Sequence, residues 1–290
     1  MSLIGTMGSG VSALRTFTKG LEVIGDNIAN VNTTGYKAST AKYADSFSTI
    51  LQRSTPSGDS FGNNPAIGVG RGVMLAGISA NFSQGSLATT GKVTDLGVSG
   101  SGFFRVKNSV DGTEYATRAG DFRWDDQGFL VTGQGHRVQG GTGTGLGTVG
   151  DIQLAAPPSG AERQSVSIDK LGQVVEFYSD GSAVTTNRLL LQNFNDPGAL
   201  VREGNNLYSG LLSAGPIGAA AGSAALDATA NAPGAAGLGS IHSGTLELSN
   251  VDLTDQFANL ITTQRSFQAG SRLLTVSDSV LEDIVNLKRS

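Results

Sequence analysis

The residues best able to do chemistry in this chain are two histidines, a group of aspartates and two glycine-rich turns. His136 and His242 stand far apart, and neither has a carboxylate or second histidine at ligand spacing. They therefore supply neither a general base nor a metal centre. Asp121, Asp125 and Asp126 resemble the start of a calcium loop, which needs oxygen ligands at alternate positions and a glutamate at the twelfth. Arg123 and Thr132 occupy the third and twelfth positions from Asp121, so the aspartates read as turn formers. Residues 85–93 (GSLATTGKV) have one residue too many between their glycines for a phosphate loop, and Val93 stands where a magnesium-binding hydroxyl belongs. Residues 97–102 (GVSGSG) lack the fifth-position glycine of a nucleophile elbow and have no histidine and aspartate partners. No catalytic residue, cofactor site or metal site is assigned. The expectation is a protein that is not an enzyme and takes no small-molecule substrate.

The composition around these groups points the same way. Lys and Arg number 20 and Asp and Glu 24, a net charge of −4 with no basic run, so nucleic acid is not an expected partner. Charged residues make up only 15% of the chain, against roughly 25% in an ordinary soluble domain. A thinly charged surface suits faces that meet copies of themselves, because burying an unpaired charge is costly. Cysteine is absent, which excludes disulfides and thiolate metal sites. The opening MSLIGTMGSGVSALRTFTKG has no charged leader followed by an apolar core. No apolar run approaches the ~20 residues of a membrane span. Export, if it occurs, is expected to proceed without a cleaved signal peptide.

Helical periodicity occupies both ends. Over residues 3–31, Leu3, Met7, Leu14, Phe17, Leu21, Ile24, Ile28 and Val31 recur at steps of three and four, interrupted only at Gly10. Such a helix would be about 43 Å long, and Asn32, Thr33, Thr34 and Gly35 would stop it. At the other end Leu253, Leu260, Phe267, Leu274 and Leu281 fall one heptad apart, flanked by Phe257 and Val285. Gln264, Ser271 and Asp278 read as polar sister positions in that seam. Polar seam groups cost stability but can fix register. Ser249 or Asn250 is placed to cap the helix, Asp252 and Asp255 put negative charge in its first turn, and Lys288 and Arg289 complement its far end.

Between the ends, short apolar runs alternate with turn residues. Strands are expected within 73–82, 95–107, 114–118, 122–124, 129–131, 166–168, 173–178, 183–186 and 188–194, with turns at Asp111-Gly112, 125–128, Leu171-Gly172 and Asp180-Gly181. Residues 140–150 and 213–240 read as glycine- and alanine-rich loops. The expected fold class is α+β, with N- and C-terminal helices pairing as a coiled coil and a mainly antiparallel β domain between them. The division is an N-terminal helix at 1–35, an extended connector at 36–92, a β-rich outer domain at 93–240 and a C-terminal helix at 241–290.

Specific blocks give these elements a family context. Residues 26–37 (DNIANVNTTGYK) resemble the N-terminal signature of the bacterial flagellar rod and hook proteins. Residues 248–253 (LSNVDL) and 257–272 (FANLITTQRSFQAGSR) resemble the C-terminal block of that family. Residues 81–87, 100–104, 115–122 and 128–140 are similar to its connector and β-domain strands, in the same order along the chain. The form of the motifs is most like the hook protein, although the chain is too short for the extra outer domain of the better-known hook proteins, and its length matches a distal rod protein.

The resemblance implies a structural subunit of the flagellar axis in the hook or basal body. It would polymerise into a helical tube of many copies, with other axial proteins, export proteins and capping proteins as partners and type III export as its route. Leu14, Leu21, Ile28, Leu253, Phe257, Leu260, Phe267, Leu274 and Leu281 are the expected assembly seam. Asn27, Asn30 and Asn32 are candidates for hydrogen bonds that set subunit register, with simple helix termination as their other reading. A secreted β-rich adhesive or binding module is the alternative of a different class.

Overall fold

The computed structural model describes residues 3–54, 63–143, 145–157, 161–219, 223–235 and 237–287, and of Leu3 and Ile4 the backbone alone. Lys288 and Arg289, expected at the helix end, lie outside the described residues. The chain forms two compact units, each built from separate stretches of sequence: residues 1–29, 39–81 and 252–290 in the first, and 30–38 and 82–251 in the second. The stretch read as an extended connector is therefore shared between them, and residues 241–251 belong with the β strands rather than with the C-terminal helix.

The first unit holds helix α1 (Leu3–Ala29), strands β1 (Ser39–Asp45), β2 (Ser48–Gln52), β3 (Ile67–Gly70) and β4 (Val73–Ala80), and helix α2 (Leu253–Leu287). Strands β1 and β4 pair antiparallel with a bulge at Lys42/Tyr43, and β2 pairs antiparallel with β3. Sequence patterning missed β1 to β3 because their alternation is weak and β3 is half glycine. Helix α1 lies on this ribbon: Thr16 Oγ1 donates to the Val73 carbonyl at 3.2 Å, and Phe17 meets Tyr43 edge-on at 5.8 Å between ring centroids. Asp252, rather than Ser249 or Asn250, caps α2, its Oδ1 accepting the N–H of Thr254 at 2.8 Å.

The second unit is the β body. Its strands are β5 (Leu87–Thr89), β6 (Leu96–Ser99), β7 (Phe103–Lys107), β8 (Glu114–Thr117), β9 (Arg123–Trp124), β10 (Leu130–Val131), β11 (Arg137–Thr142), β12 (Thr148–Asp151), β13 (Arg163–Ile168), β14 (Gln173–Tyr178), β15 (Ala183–Leu189), β16 (Leu191–Gln192), β17 (Val201–Gly204), β18 (Leu207–Ser209), β19 (Ser240–Ser243) and β20 (Thr245–Glu247). A large antiparallel sheet runs in the order β13, β14, β15, β11, β7, β8, β18, β17. Strand β19 pairs with β6 and β20 with β5, so the end of this unit lies against its beginning. Leu96, Val98, Phe104, Val138, Leu189 and Ile241 belong to one buried cluster, and Phe103, Phe194 and Tyr208 to a second.

Residues 140–150, read as a loop, form the β11–β12 hairpin with Thr142 opposite Thr148. The glycines that hid it are what it needs, since a β-carbon at Gly140 would stand 2.4 Å from the Arg188 carbonyl oxygen. Within 213–240, Asn231 donates to the carbonyls of Leu191 at 3.0 Å and Ile217 at 3.2 Å.

Gly35 is the tightest point of the turn that follows α1. Its φ is +67°, its N–H donates to the Glu247 carbonyl at 2.8 Å, and a β-carbon there would lie 2.6 Å from the Ala119 nitrogen. Both the left-handed backbone and the clash forbid a side chain. Replacing Gly35 with alanine should destabilise the β body by roughly 1–3 kcal/mol or more. Denaturant unfolding followed by the emission of Trp124, the single tryptophan, measures this in the right unit, because Trp124 packs on its core.

Candidate assembly interface

The terminal helices build the candidate interface from one stripe each. On α2 the residues shielded from solvent are Gln256, Leu260, Thr263, Phe267, Gly270, Leu274, Ser277 and Leu281, with Ser266 beside them. The steps alternate four and three, as a narrow seam requires. The large members are those read from sequence. Their sister positions lie three residues on, at Thr263, Gly270 and Ser277, and not four residues on at Gln264, Ser271 and Asp278, which are exposed.

The small sister residues explain that choice, since they let the two backbones approach. A β-carbon at Gly270 would sit 3.5 Å from Leu14 Cδ2, and one at Gly10 would sit 3.0 Å from Leu274 Cδ2. Each glycine thus receives the other helix's leucine. Thr6 meets Ser277 with hydroxyls 3.5 Å apart, and Asn27 Nδ2 donates to Gln256 Oε1 at 3.0 Å, so α1 and α2 run antiparallel along their length. Gly10, which interrupts the apolar pattern in sequence, is a site of closest approach. Leu21 and Ile28 are half-buried on the same helix.

The remaining predicted residues fall elsewhere. Leu253 and Phe257 are exposed, 39% and 50%, at the start of α2. Asn27 is buried and works within the chain, its Nδ2 donating to the Ser39 carbonyl at 2.7 Å and its Oδ1 accepting the Ser39 N–H at 2.9 Å. Asn30 Oδ1 accepts from the Thr33 hydroxyl at 3.1 Å in the turn that ends α1, and Asn32 is exposed.

Sequence reasoning did not find the polar cluster inside the β body. Lys37, the last residue of the NTTGYK block, donates through Nζ to Glu247 Oε1 and to the Ser83 carbonyl, both at 2.7 Å. Arg118 donates to Glu247 Oε2 at 3.1 Å and to the Gly100 carbonyl at 2.8 Å. The side chains of Lys37 and Glu247 are fully buried. Burial pulls the Lys37 ammonium below the ordinary lysine range, opposed by the hydrogen bond and charge of Glu247. Beside this cluster, Asn250 accepts the Ala38 N–H at 2.8 Å and donates to the Ser83 carbonyl at 3.0 Å. The only signal in the sequence is a charged residue beside apolar neighbours, Lys37 after Tyr36 and Glu247 between Leu246 and Leu248.

The groups considered for chemistry have structural tasks. Asp125 Oδ1 accepts the N–H groups of Gln127 and Phe129 at 3.0 and 2.7 Å, an aspartate turn. His136 lies against Tyr115, and His242 Nε2 is 3.3 Å from the Ser240 hydroxyl. Among the described residues no three His, Asp or Glu side chains converge as metal ligands, and no helix is long and apolar enough to cross a membrane.

Comparison with known proteins follows the same segments. Residues 7–37 match the flagella basal body rod protein family, 97–176 the D1 domain of the flagellar hook protein FlgE/F/G, and 242–287 the C-terminal part of the flagellar basal body rod FlgEFG proteins. The flagellar basal-body rod protein FlgG of Bacillus subtilis is 37% identical over 287 residues, covering 99% of this chain and 100% of that protein. The chain belongs to the flagellar rod and hook protein family. Members of this family are structural proteins of the flagellar axis and not enzymes. FlgG of Caulobacter vibrioides is 31% identical, covering 96% of this chain and all of that protein. The flagellar hook protein FlgE of Borreliella burgdorferi is 24% identical in an alignment 449 positions long, covering 97% of this chain.

The glycine contacts make the helix pairing testable. In a chain without cysteine, a Thr6→Cys/Ser277→Cys pair should cross-link within one molecule under mild oxidation. Adding Gly270→Leu, which fills the hollow that receives Leu14, should cut the yield several-fold, read as the mobility shift on a non-reducing gel.

Proposed function

We propose that this chain is a subunit of the flagellar basal-body rod that polymerises through its terminal helices into an open helical tube. The observation that carries this is the burial of the first unit. Among the described residues Ile24 is its one buried apolar side chain, while Phe47, Ile50, Leu51, Ile261, Leu273, Val276 and Ile284 stand exposed, Phe47 by 85%. Monomers rarely leave so much apolar surface in contiguous patches unless a partner covers it. Ile261, Val276 and Val280, on the side of α2 opposite the stripe that meets α1, offer a second seam. A helix with one seam used inside the chain and one left over joins neighbours head to tail, and a rotation that does not close gives a filament. The antiparallel helix pair is then a coiled coil completed between copies. Asn27 holds the register inside each copy.

Rod rather than hook is supported by length. The two relatives named as rod proteins match from end to end, with 100% of each covered. The hook relative needs 449 aligned positions against 290 residues, so it carries long stretches with no counterpart here. The hook reading drawn from the short motifs has less support. Partners are further copies, the neighbouring axial proteins, and the export and capping proteins that deliver and place them, with the N-terminus retained on export.

The test is electron microscopy of purified protein at rising concentration. Wild-type chain should form straight tubes; curved ones would favour the hook. Ile261→Asp/Val276→Asp alters only exposed positions, so unfolding of the β body should change by less than about 0.5 kcal/mol. Tubes should vanish. Tubes formed by that variant at the wild-type concentration would refute the proposed seam.

A further inference from the structure

We propose that Glu247 is a folding latch: the β body closes around two buried cations only when strand β20, from the far end of the chain, delivers this one carboxylate. Lys37 comes from the turn after α1, Arg118 from the segment after β8, and Glu247 from the last strand before α2. Among the described residues Glu247 is the only carboxylate bonded to either cation. Its Oε1 takes the Lys37 ammonium and the Gly85 N–H at 2.9 Å, and its Oε2 takes Arg118. Among the described residues Arg118 Nε has no hydrogen-bond partner, so the guanidinium's hydrogen bonds go to the carboxylate and the Gly100 carbonyl. Take Glu247 away and two like charges remain together, desolvated, inside a sheet. A body holding that arrangement does not close, because an unpaired buried charge costs more than the surrounding burial returns.

The topology ties this electrostatic condition to chain order. The segment that carries Glu247 also brings Ile241 and Leu238 into the main core and lays β19 and β20 on β6 and β5. These pairings join residues about 150 apart in sequence, the longest loop closure among the strand pairings of the described residues. Lys37 and Arg118 leave the ribosome long before Glu247 does. Until then the cations keep the incomplete sheet open to water, so the chain stays unfolded up to its last sixth. An ordinary stabilising ion pair would instead let β7, β8 and β11 assemble first and add β20 as a finishing strand. The latch is independent of whether the subunit builds rod or hook.

Pulse-labelled hydrogen exchange during refolding of the full chain separates these cases. With a latch, amides of β6, β7 and β8 gain protection at the same rate as those of β20. Protection of β7 and β8 tenfold or more ahead of β20 would overturn the proposal. Glu247→Ala should lower the folded-to-unfolded ratio of the β body, read by Trp124, on the order of a hundredfold or more; an unchanged transition would also overturn it. The variant Lys37→Met/Arg118→Met/Glu247→Leu removes the cations together with their partner. It should restore the Trp124 transition and let β7 and β8 become protected before β20. If it folds with β7, β8 and β20 still in step, the coupling belongs to topology alone and the latch is refuted.

Discussion

Unequal burial is the constraint on which this molecule turns. The β body closes two clusters of apolar side chains, from Leu96 to Ile241 and around Phe103 and Tyr208. The helical unit has a single buried apolar side chain among its described residues and exposes most of the rest. Hydrophobic burial is the main favourable term in folding, so a unit that buries so little draws its stability from elsewhere. A pair of helices on a two-stranded ribbon is marginal alone. In the proposed tube, contact with further copies supplies the missing burial.

Small residues decide which seam stays inside the chain. Gly10, Gly20 and Gly270 let α1 approach the ribbon and α2 closely, so the inner seam is narrow and alternates large residues with small ones. Other large residues of α2, among them Ile261, Val276 and Val280, stay exposed. A helix pair with leucines throughout its inner seam would be a better isolated hairpin and a poorer subunit. Glycine costs helical stability, about 1 kcal/mol per residue relative to alanine. In the proposed tube that loss falls on the monomer and is offset when neighbours pack.

The sequence made the helices, the heptad positions of the large α2 residues and most hairpins of the β body legible, because period and turn chemistry are local. It did not reveal which side of the α2 heptad faces inward. Gln264, Ser271 and Asp278 look no worse as seam residues than Thr263, Gly270 and Ser277 until the approach of the backbones is known. Strands such as β11 and β12 were hidden by glycines whose role is a close approach to a distant carbonyl, a fact absent from any local window. The unit boundaries were also illegible. Lys37 and Glu247 look like surface charges beside helices until they are seen to meet inside a sheet.

An ionic clasp at that point is an odd choice on stability grounds alone, since well-packed apolar groups in place of a buried ion pair are often as stable or more so. Its distinguishing property is all-or-none dependence on partners. Apolar residues at 37, 118 and 247 would tolerate a missing member with a cavity, whereas two cations around one carboxylate do not. The clasp also sits where the chain leaves the β body in both directions, with Asn250 bridging Ala38 and Ser83 beside it. A subunit whose sticky unit is incomplete by design gains from having its other unit either wholly closed or wholly open, because a half-formed sheet would add unpaired strand edges to surfaces already made to associate.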